Sequence, residues 1–284
     1  MANHRLLLLI LCVFILIPFR DSKTEVSFID VGQGDGIYID CGEQILIDGG
    51  SSSSKHIGEY TIEPFLLSSA VGALDKVFIT HADSDHTSGI LYLAENRRIH
   101  IDSLYLPFCA ADNEKYEKIR CVCRDVHYLK AGDIIPAGKG SFTCLSPDPG
   151  KTGPASDINE HSLVLLYEEG GFSALLTGDA DMKNESDLLE FVSSHGISLP
   201  ESVTVLKAGH HGSSTSTSPE LIEAVSPRIA VLSYGAGNRY GHPHRETLDI
   251  LAEHGIRHID TARSGTVTFY TNGHFVEIKE FLNQ

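Results

Sequence analysis

The segment His81-Ala-Asp83-Ser-Asp85-His86 places two imidazoles and two carboxylates in one short stretch. These are ligands for divalent cations, and a cation held by them can activate water for hydrolysis. A solvated acidic turn is the alternative, but such turns seldom gather four metal-competent side chains. Groups of the same kind recur downstream at Asp179, at the pair His210-His211, and through Asn238–His244 with its Gly-His-Pro-His ending. Asp48, just before Gly49-Gly50, is a candidate supporting carboxylate or else a plain turn residue.

Each of these groups follows an apolar run that reads as a strand. Lys76–Thr80 leads into the His81 loop and a helix begins after Thr87, so the cluster lies on a strand-to-helix loop, where a rigid scaffold commonly presents its chemistry. Upstream, Val26–Val31, Ile37–Asp40 and Gln44–Asp48 form a meander around Gly32–Gly36. That turn joins strands and lacks a G-K-[ST] ending, so it is not a phosphate loop. Helices are expected over His56–Gly72, with a break at Pro64, over Thr87–Asn96 and over Asn113–Cys123. Ser103–Leu106 reads as a strand, and Gly132–Glu160 as mostly loop.

The second half repeats the pattern. Ser162–Tyr167 and Phe172–Thr177 form a hairpin, followed by a helix over Asp181–His195 and a strand over Val203–Lys207. A helix over Pro219–Val225, a strand over Arg228–Tyr234, a helix over Arg245–His254 and a closing hairpin complete the chain. Two β-rich halves that each trail helices predict two sheets packed face to face with helices outside. Loops at one edge of such sheets converge, so the scattered polar groups are expected to meet at one site.

At 284 residues, with 42% hydrophobic and 21% charged residues, the chain is globular and has ample material for a core. Its net charge of −16 works against sequence-independent adhesion to nucleic acid, so a polyanionic substrate would need local help from bound metal or a small basic patch. The apolar run Leu6–Phe19, preceded by His4 and Arg5, is shorter than the ~20 residues of a comfortable bilayer span. Residues 1–23 therefore read as a signal peptide or short membrane anchor, and 24–284 as the hydrolase domain, placed extracytoplasmically. Cys109, Cys121 and Cys123 form a disulfide pair in an exported domain or stay reduced.

Taken together, the polar motifs resemble those of the metallo-β-lactamase superfamily, with its H-x-H-x-D-H signature followed by a later Asp and His at strand ends. They are more similar still to the C-terminal hydrolase domain of ComEC-type competence DNA-uptake proteins. The resemblance rests on Asp30-Val-Gly-Gln-Gly-Asp35, Leu46-Ile-Asp-Gly-Gly50, Thr80-His-Ala-Asp-Ser-Asp-His86 and Leu176-Thr-Gly-Asp179. Lys207-Ala-Gly-His-His-Gly-Ser213 and Asn238-Arg-Tyr-Gly-His-Pro243 complete it, in the family's order.

The resemblance implies an α+β fold, an αββα sandwich, with two divalent metal ions, manganese or zinc. Carried over residue by residue, His81 and Asp83 would hold one ion. Asp85, His86 and one of His210 and His211 would hold the other, with Asp179 between them. His210 follows the glycine where the superfamily places its ligand and is preferred, leaving His211 as a neighbour in contact with substrate. Asp83 stands where the superfamily usually has His, which tilts that position from zinc towards manganese or magnesium. His161 lies in the interval of a further superfamily histidine, although the ComEC-like pattern features Asn159 and Ser162 there as supporting residues.

For the reaction, Asp85 would orient the nucleophile and His242 or His244 would protonate the leaving oxygen. Lys207 and Arg239 would offset phosphate charge, while Asn238, Tyr240 and Ser213 would donate hydrogen bonds. The analogy implies a nuclease that takes DNA as substrate at the outer face of a bacterial membrane, degrading one strand while the other is imported. The N-terminal segment would meet the membrane, and a separate DNA-uptake channel would be a partner. Two other classes compete: a small-molecule hydrolase acting on phosphodiesters or lactams, and a non-catalytic binding module, against which intact Asp85, His86 and Asp179 argue.

Overall fold

A computed structural model describes residues 23–151 and 161–282. The expected leader, save its last residue, and Asn159 lie outside the described residues. Among the described residues no helix is long and apolar enough to cross a membrane.

The chain first lays down β1 (Thr24–Phe28), β2 (Ile37–Asp40), β3 (Gln44–Ile47), β4 (Ala73–Phe78), β5 (His100–Pro107) and β6 (Asp125–Leu129). It continues through β7 (Ile134–Ala137), β8 (Gly140–Ser146), β9 (Val164–Glu169), β10 (Phe172–Leu176), β11 (Val205–Lys207), β12 (Ile229–Leu232) and β13 (Arg257–Asp260). The last strands, β14 (Val267–Thr271) and β15 (Val276–Glu280), return to the first group. One sheet has the order β15-β14-β1-β2-β3-β4-β5-β6 and the other β13-β12-β11-β10-β9-β8-β7. The principal helices are α1 (Glu63–Ser68), α2 (Ser84–Asn96), α3 (Met182–His195), α4 (Pro219–Val225) and α5 (Arg245–Glu253).

Period-two alternation divides the apolar residues among three layers. Ile45 and Ile47 of β3 enter the layer between the sheets, where they join Leu165, Tyr167, Phe172 and Leu176 of the opposite sheet. Leu46 faces the other way, towards Ile90 and Leu93 of α2. In β9, Val164 and Leu166 likewise face outward to Leu188 and Val192 of α3. Each buried Leu, Ile or Phe contributes roughly 1.5–3 kcal/mol relative to exposure. The result is the α+β sandwich of two sheets with helices outside.

The strand directions decide where the chemistry goes. β3, β4, β5 and β6 run parallel, as do β10, β11, β12 and β13. Loops leaving the carboxyl ends of adjacent parallel strands emerge at one edge, and open α/β sheets place ligands there. Residues 48–50, 79–83, 177–181, 208–213 and 233–244 form that edge together with the first turn of α2.

Three expectations are corrected. Residues 134–146 are a β-hairpin, not loop: Pro136 sits in β7, an edge strand whose outer side makes no ladder bond that a missing N–H could break. Asn113–Cys123 is not a helix but two 3₁₀ turns, Glu114–Tyr116 and Ile119–Cys121. The Asn113 carbonyl accepts from Tyr116 N–H and from the Arg120 guanidinium, not from the i+4 amide. Residues 56–72 shorten to a π-turn at Gly58–Ile62 and α1, with Pro64 in the first turn of α1, where its missing N–H costs nothing. Cys109, Cys121 and Cys123 are free thiols.

Candidate metal centre

Hydrogen bonding behind the site fixes how its imidazoles point. Asp48, in the left-handed region at φ 54° after β3, accepts the Thr80 N–H at 2.9 Å, the Thr80 hydroxyl at 2.7 Å and the His86 Nδ1–H at 2.9 Å. With its proton given to Asp48, the Thr80 oxygen accepts from His81 Nδ1 at 3.1 Å. His211 Nδ1–H donates to the Ser233 carbonyl at 3.0 Å. All three rings therefore carry their proton on Nδ1 and turn an Nε2 lone pair inward.

Those inward atoms surround Asp179. His81 Nε2 stands 4.0 Å, His86 Nε2 3.4 Å and His211 Nε2 3.5 Å from its carboxylate oxygens. The three Nε2 atoms and Asp179 Oδ1 are buried with no hydrogen-bond partner. Ligand atoms of His81, His86 and Asp179 lie within 4.8 Å of one another, as do those of Asp85, His86 and His211. Buried acceptors without donors are costly unless a cation satisfies them, so this donor set fits divalent metal.

Asp83 and Asp85 complete the set at its mouth. Asp83 Oδ2 is 3.8 Å from His81 Nε2, and Asp85 Oδ2 is 3.8 Å from His211 Nε2. Glycines let the neighbouring backbone close on this turn: a Cβ on Gly50 would lie 2.4 Å from the Ser84 carbonyl, and one on Gly34 2.5 Å from that of Asp85. Asp35 N–H and Gly49 N–H then bond the carbonyls of Asp85 and His86, which ties three loops together.

Electrostatics follow from burial against charge. Burial raises the Asp179 carboxyl, but His211, His86 and Lys207 outweigh it and hold the pKa well below the ordinary value. Burial lowers His86, yet Asp179 and Asp48 prevail and hold it well above its ordinary value, so that without a cation its Nε2 takes a proton beside Asp179; a divalent ion would displace that proton and take up the lone pair. For His81, burial and the neighbouring His86 act together and hold it well below.

The structure reverses the roles expected for the histidine pair. His210 and His211 both lie in the left-handed region, at φ 45° and 57°, a strained arrangement that turns one ring in and leaves the other at the rim. The His211 side chain is 2% exposed and the His210 side chain 31% exposed, with His210 Nε2 3.6 Å from Asp179. His211 is thus the inward member and His210 the one at the rim, although both border the cleft.

Lys207 is also corrected. It is fully buried, donating to Asp35 at 2.6 Å and to the Gly178 carbonyl at 2.8 Å, and cannot reach a substrate phosphate. Asp35, which the sequence placed in a glycine-rich motif of the resemblance without giving it a role, is the partner that this lysine needs. Its other oxygen is 3.5 Å from His211 Nδ1. The signal was present: a carboxylate between glycines permits close packing that a larger flank would prevent.

The rim is built differently. The Asn238 side chain donates to the carbonyls of Gly235 and His242 and accepts from the N–H groups of Tyr240 and His242, which fully engages its amide in the loop. His244 accepts the Ser214 N–H on Nδ1 and donates from Nε2 to the Tyr240 carbonyl. Ser213 bonds Thr215. Asn238 and His244 thus have their polar side-chain atoms engaged within the protein, and the Ser213 hydroxyl lies against Thr215. Arg239, Tyr240 and His242 do line an open cleft of about 310 Å³ with Asp85 and His210, together with Gln33, which sequence reading missed. Burial, then His211 and His210, push the His242 imidazole down to about 4, so at neutral pH it is uncharged. His161 and Ser162 are buried beside the floor, where the next residue, Leu163, bonds the Thr80 carbonyl.

Residues 29–115 match the metallo-beta-lactamase superfamily. The chain is 33% identical over 280 residues to ComE operon protein 3 of Bacillus subtilis, covering 92% of this chain and 34% of that protein. It is 33% identical over 250 residues to competence protein ComA of Neisseria gonorrhoeae, covering 88% and 32%. The chain therefore spans about a third of the length of these relatives. Among solved structures, the metallo-beta-lactamase fold protein YhfI of Bacillus subtilis superposes with a TM-score of 0.58 at 13% identity, over 87% of this chain and 99% of that one.

Proposed function

Since this chain carries a metallo-beta-lactamase domain and is homologous over most of its length to competence proteins, we propose that it is a divalent-metal-dependent phosphodiesterase acting on DNA at the outer face of a bacterial membrane. The observation that carries the reading is the convergence of three buried, unpartnered Nε2 lone pairs on Asp179, beneath a cleft whose rim holds Arg239.

His81 and Asp83 would hold one ion, Asp85, His86 and His211 a second, with Asp179 shared. Such ions supply Lewis-acid charge and lower the pKa of water. Asp48, Thr80 and Ser233 keep the imidazoles aimed, so no reorganisation is needed when substrate arrives. Arg239 provides a cation for a phosphate at the cleft mouth, and Asp85 is placed to orient an attacking water. His242, uncharged at neutral pH, offers a hydrogen bond to the leaving oxygen. Residues 1–23 would hold the domain at the membrane beside a separate uptake channel.

The test is cleavage of end-labelled single-stranded DNA during titration with manganese and with zinc. A model phosphodiester and a chromogenic lactam run in parallel. Metal-dependent DNA turnover that falls at least about 100-fold in Asp85→Ala is the expected result. Turnover unchanged in that variant, or confined to the lactam, refutes the assignment. A small phosphodiester as the natural substrate is the second reading, favoured by the net charge of −16, and turnover of the model ester without DNA cleavage would select it.

A further inference from the structure

Gln33 is 2% exposed, stands at the wall of the cleft and has no role in the reading above. Its amide bridges two loops. The Gly235 N–H bonds one end at 3.2 Å, and the other end lies 3.2 Å from His242 Nδ1. A backbone N–H can only donate, so the atom facing Gly235 is the amide oxygen. The atom facing His242 is then the NH₂, which can only donate. His242 Nδ1 must accept, and the ring proton of the uncharged imidazole must sit on Nε2.

That tautomer is the reverse of the one held by His81, His86 and His211. Those three turn a lone pair to the cluster, whereas no protein group among the described residues takes His242 Nε2, on a ring that lines the cleft. Asn238 grips the His242 backbone at both its N–H and its carbonyl, and the Tyr240 ring stacks on the imidazole at 5.6 Å, so the ring is held with Nδ1 towards Gln33. We propose that Gln33 is a positioning residue that fixes His242 as the Nε2–H tautomer, so that a neutral imidazole presents a hydrogen-bond donor to the leaving oxygen of the substrate. The inference rests on the phosphodiesterase reading for its consequence, but not for the tautomer itself.

Gln33→Glu separates positioning from packing. The carboxylate has the same shape and still accepts the Gly235 N–H, but it has no proton for His242 and draws the ring proton to Nδ1. The probe is ¹⁵N-histidine NMR of zinc-loaded protein at pH 8, in which protonated and bare ring nitrogens resonate far apart. In the unsubstituted protein His242 is expected as Nε2–H, and in Gln33→Glu with its proton on Nδ1. Zinc stoichiometry should not change, and single-stranded DNA turnover, measured well below the melting temperature of the variant, should fall about 10- to 100-fold. Adding His242→Ala to Gln33→Glu should cost little more, because both remove the same donor.

An Nδ1–H tautomer in the unsubstituted protein overturns the proposal. So does a Gln33→Glu variant that keeps Nε2–H, whatever its activity, since loss without a tautomer change marks a purely structural role. If the unsubstituted protein cleaves no DNA, the phosphodiesterase reading fails while the NMR result still decides the tautomer.

Discussion

The floor and the rim of the cleft are made from the same residue types and use them in opposite ways. On the floor, Asp48, Thr80 and Ser233 take the outer nitrogens of His86, His81 and His211, and every inner nitrogen is left bare. On the rim, Asn238 turns its polar atoms back onto its own loop and His244 ties that loop to Ser214, while Arg239, Tyr240 and His242 border the cleft. The floor is thus preorganised for a cation by tautomers, whereas the rim is a self-bonded frame that carries a few free groups. Two histidines in one motif can therefore do unrelated work, and what separates them is the partner of each ring nitrogen.

The largest expected effect is on the floor. Asp35→Ala strands the Lys207 ammonium in the interior, and urea denaturation should show a loss of about 3–5 kcal/mol. Adding Lys207→Met should recover part of it. A loss under about 1 kcal/mol would mean that the pair is not desolvated as the structure shows.

Next comes the histidine pair. His211→Ala should weaken metal binding in calorimetric titration by at least about 100-fold, at the upper end of what loss of a supporting partner costs. His210→Ala should stay within about tenfold, in the range of an outer contact. Equal losses would erase the distinction between floor and rim at this turn.

Gly50→Ala forces a Cβ to 2.4 Å from the Ser84 carbonyl, where backbone must move, and should cost about 1–3 kcal/mol in thermal melting along with weaker metal binding. Unchanged melting would show that the start of α2 is not clamped by close approach.

Rim changes should be smaller and of another kind. Asn238→Ala removes the ties of the loop and should raise KM roughly tenfold with metal affinity unaltered, on the scale of one or two hydrogen bonds. Smallest is Arg239→Ala, which leaves stability unchanged and flattens the salt dependence of KM, since a single exposed cation on phosphate is screened by salt. A fall in metal affinity in either variant would join the rim to the floor.

Much of this was legible in the chain. The segment His81–His86 announced cation chemistry by residue type alone, and the apolar runs in Gln44–Asp48 and Phe172–Thr177, each ended by glycine, gave the strands that deliver Asp48 and Asp179. The β7–β8 hairpin was hidden by the turn signals Asp148-Pro-Gly-Lys and Gly153-Pro, which made the whole stretch Gly132–Glu160 read as loop although they lie beyond the hairpin. Asp35 was hidden by the glycines around it, which read as a turn and not as a means of bringing backbones together.

By itself, the sequence determined which residues could bind a cation and which runs would form strands, because both follow from side-chain chemistry and local periodicity. Only the tertiary structure decided that His211 and not His210 points inward, that Lys207 neutralises Asp35 and not a substrate, and that Asn238 and His244 hold the rim together. The reason is physical: a side chain's role depends on which donors and acceptors meet its atoms, and those come from loops brought together only when the two sheets pack.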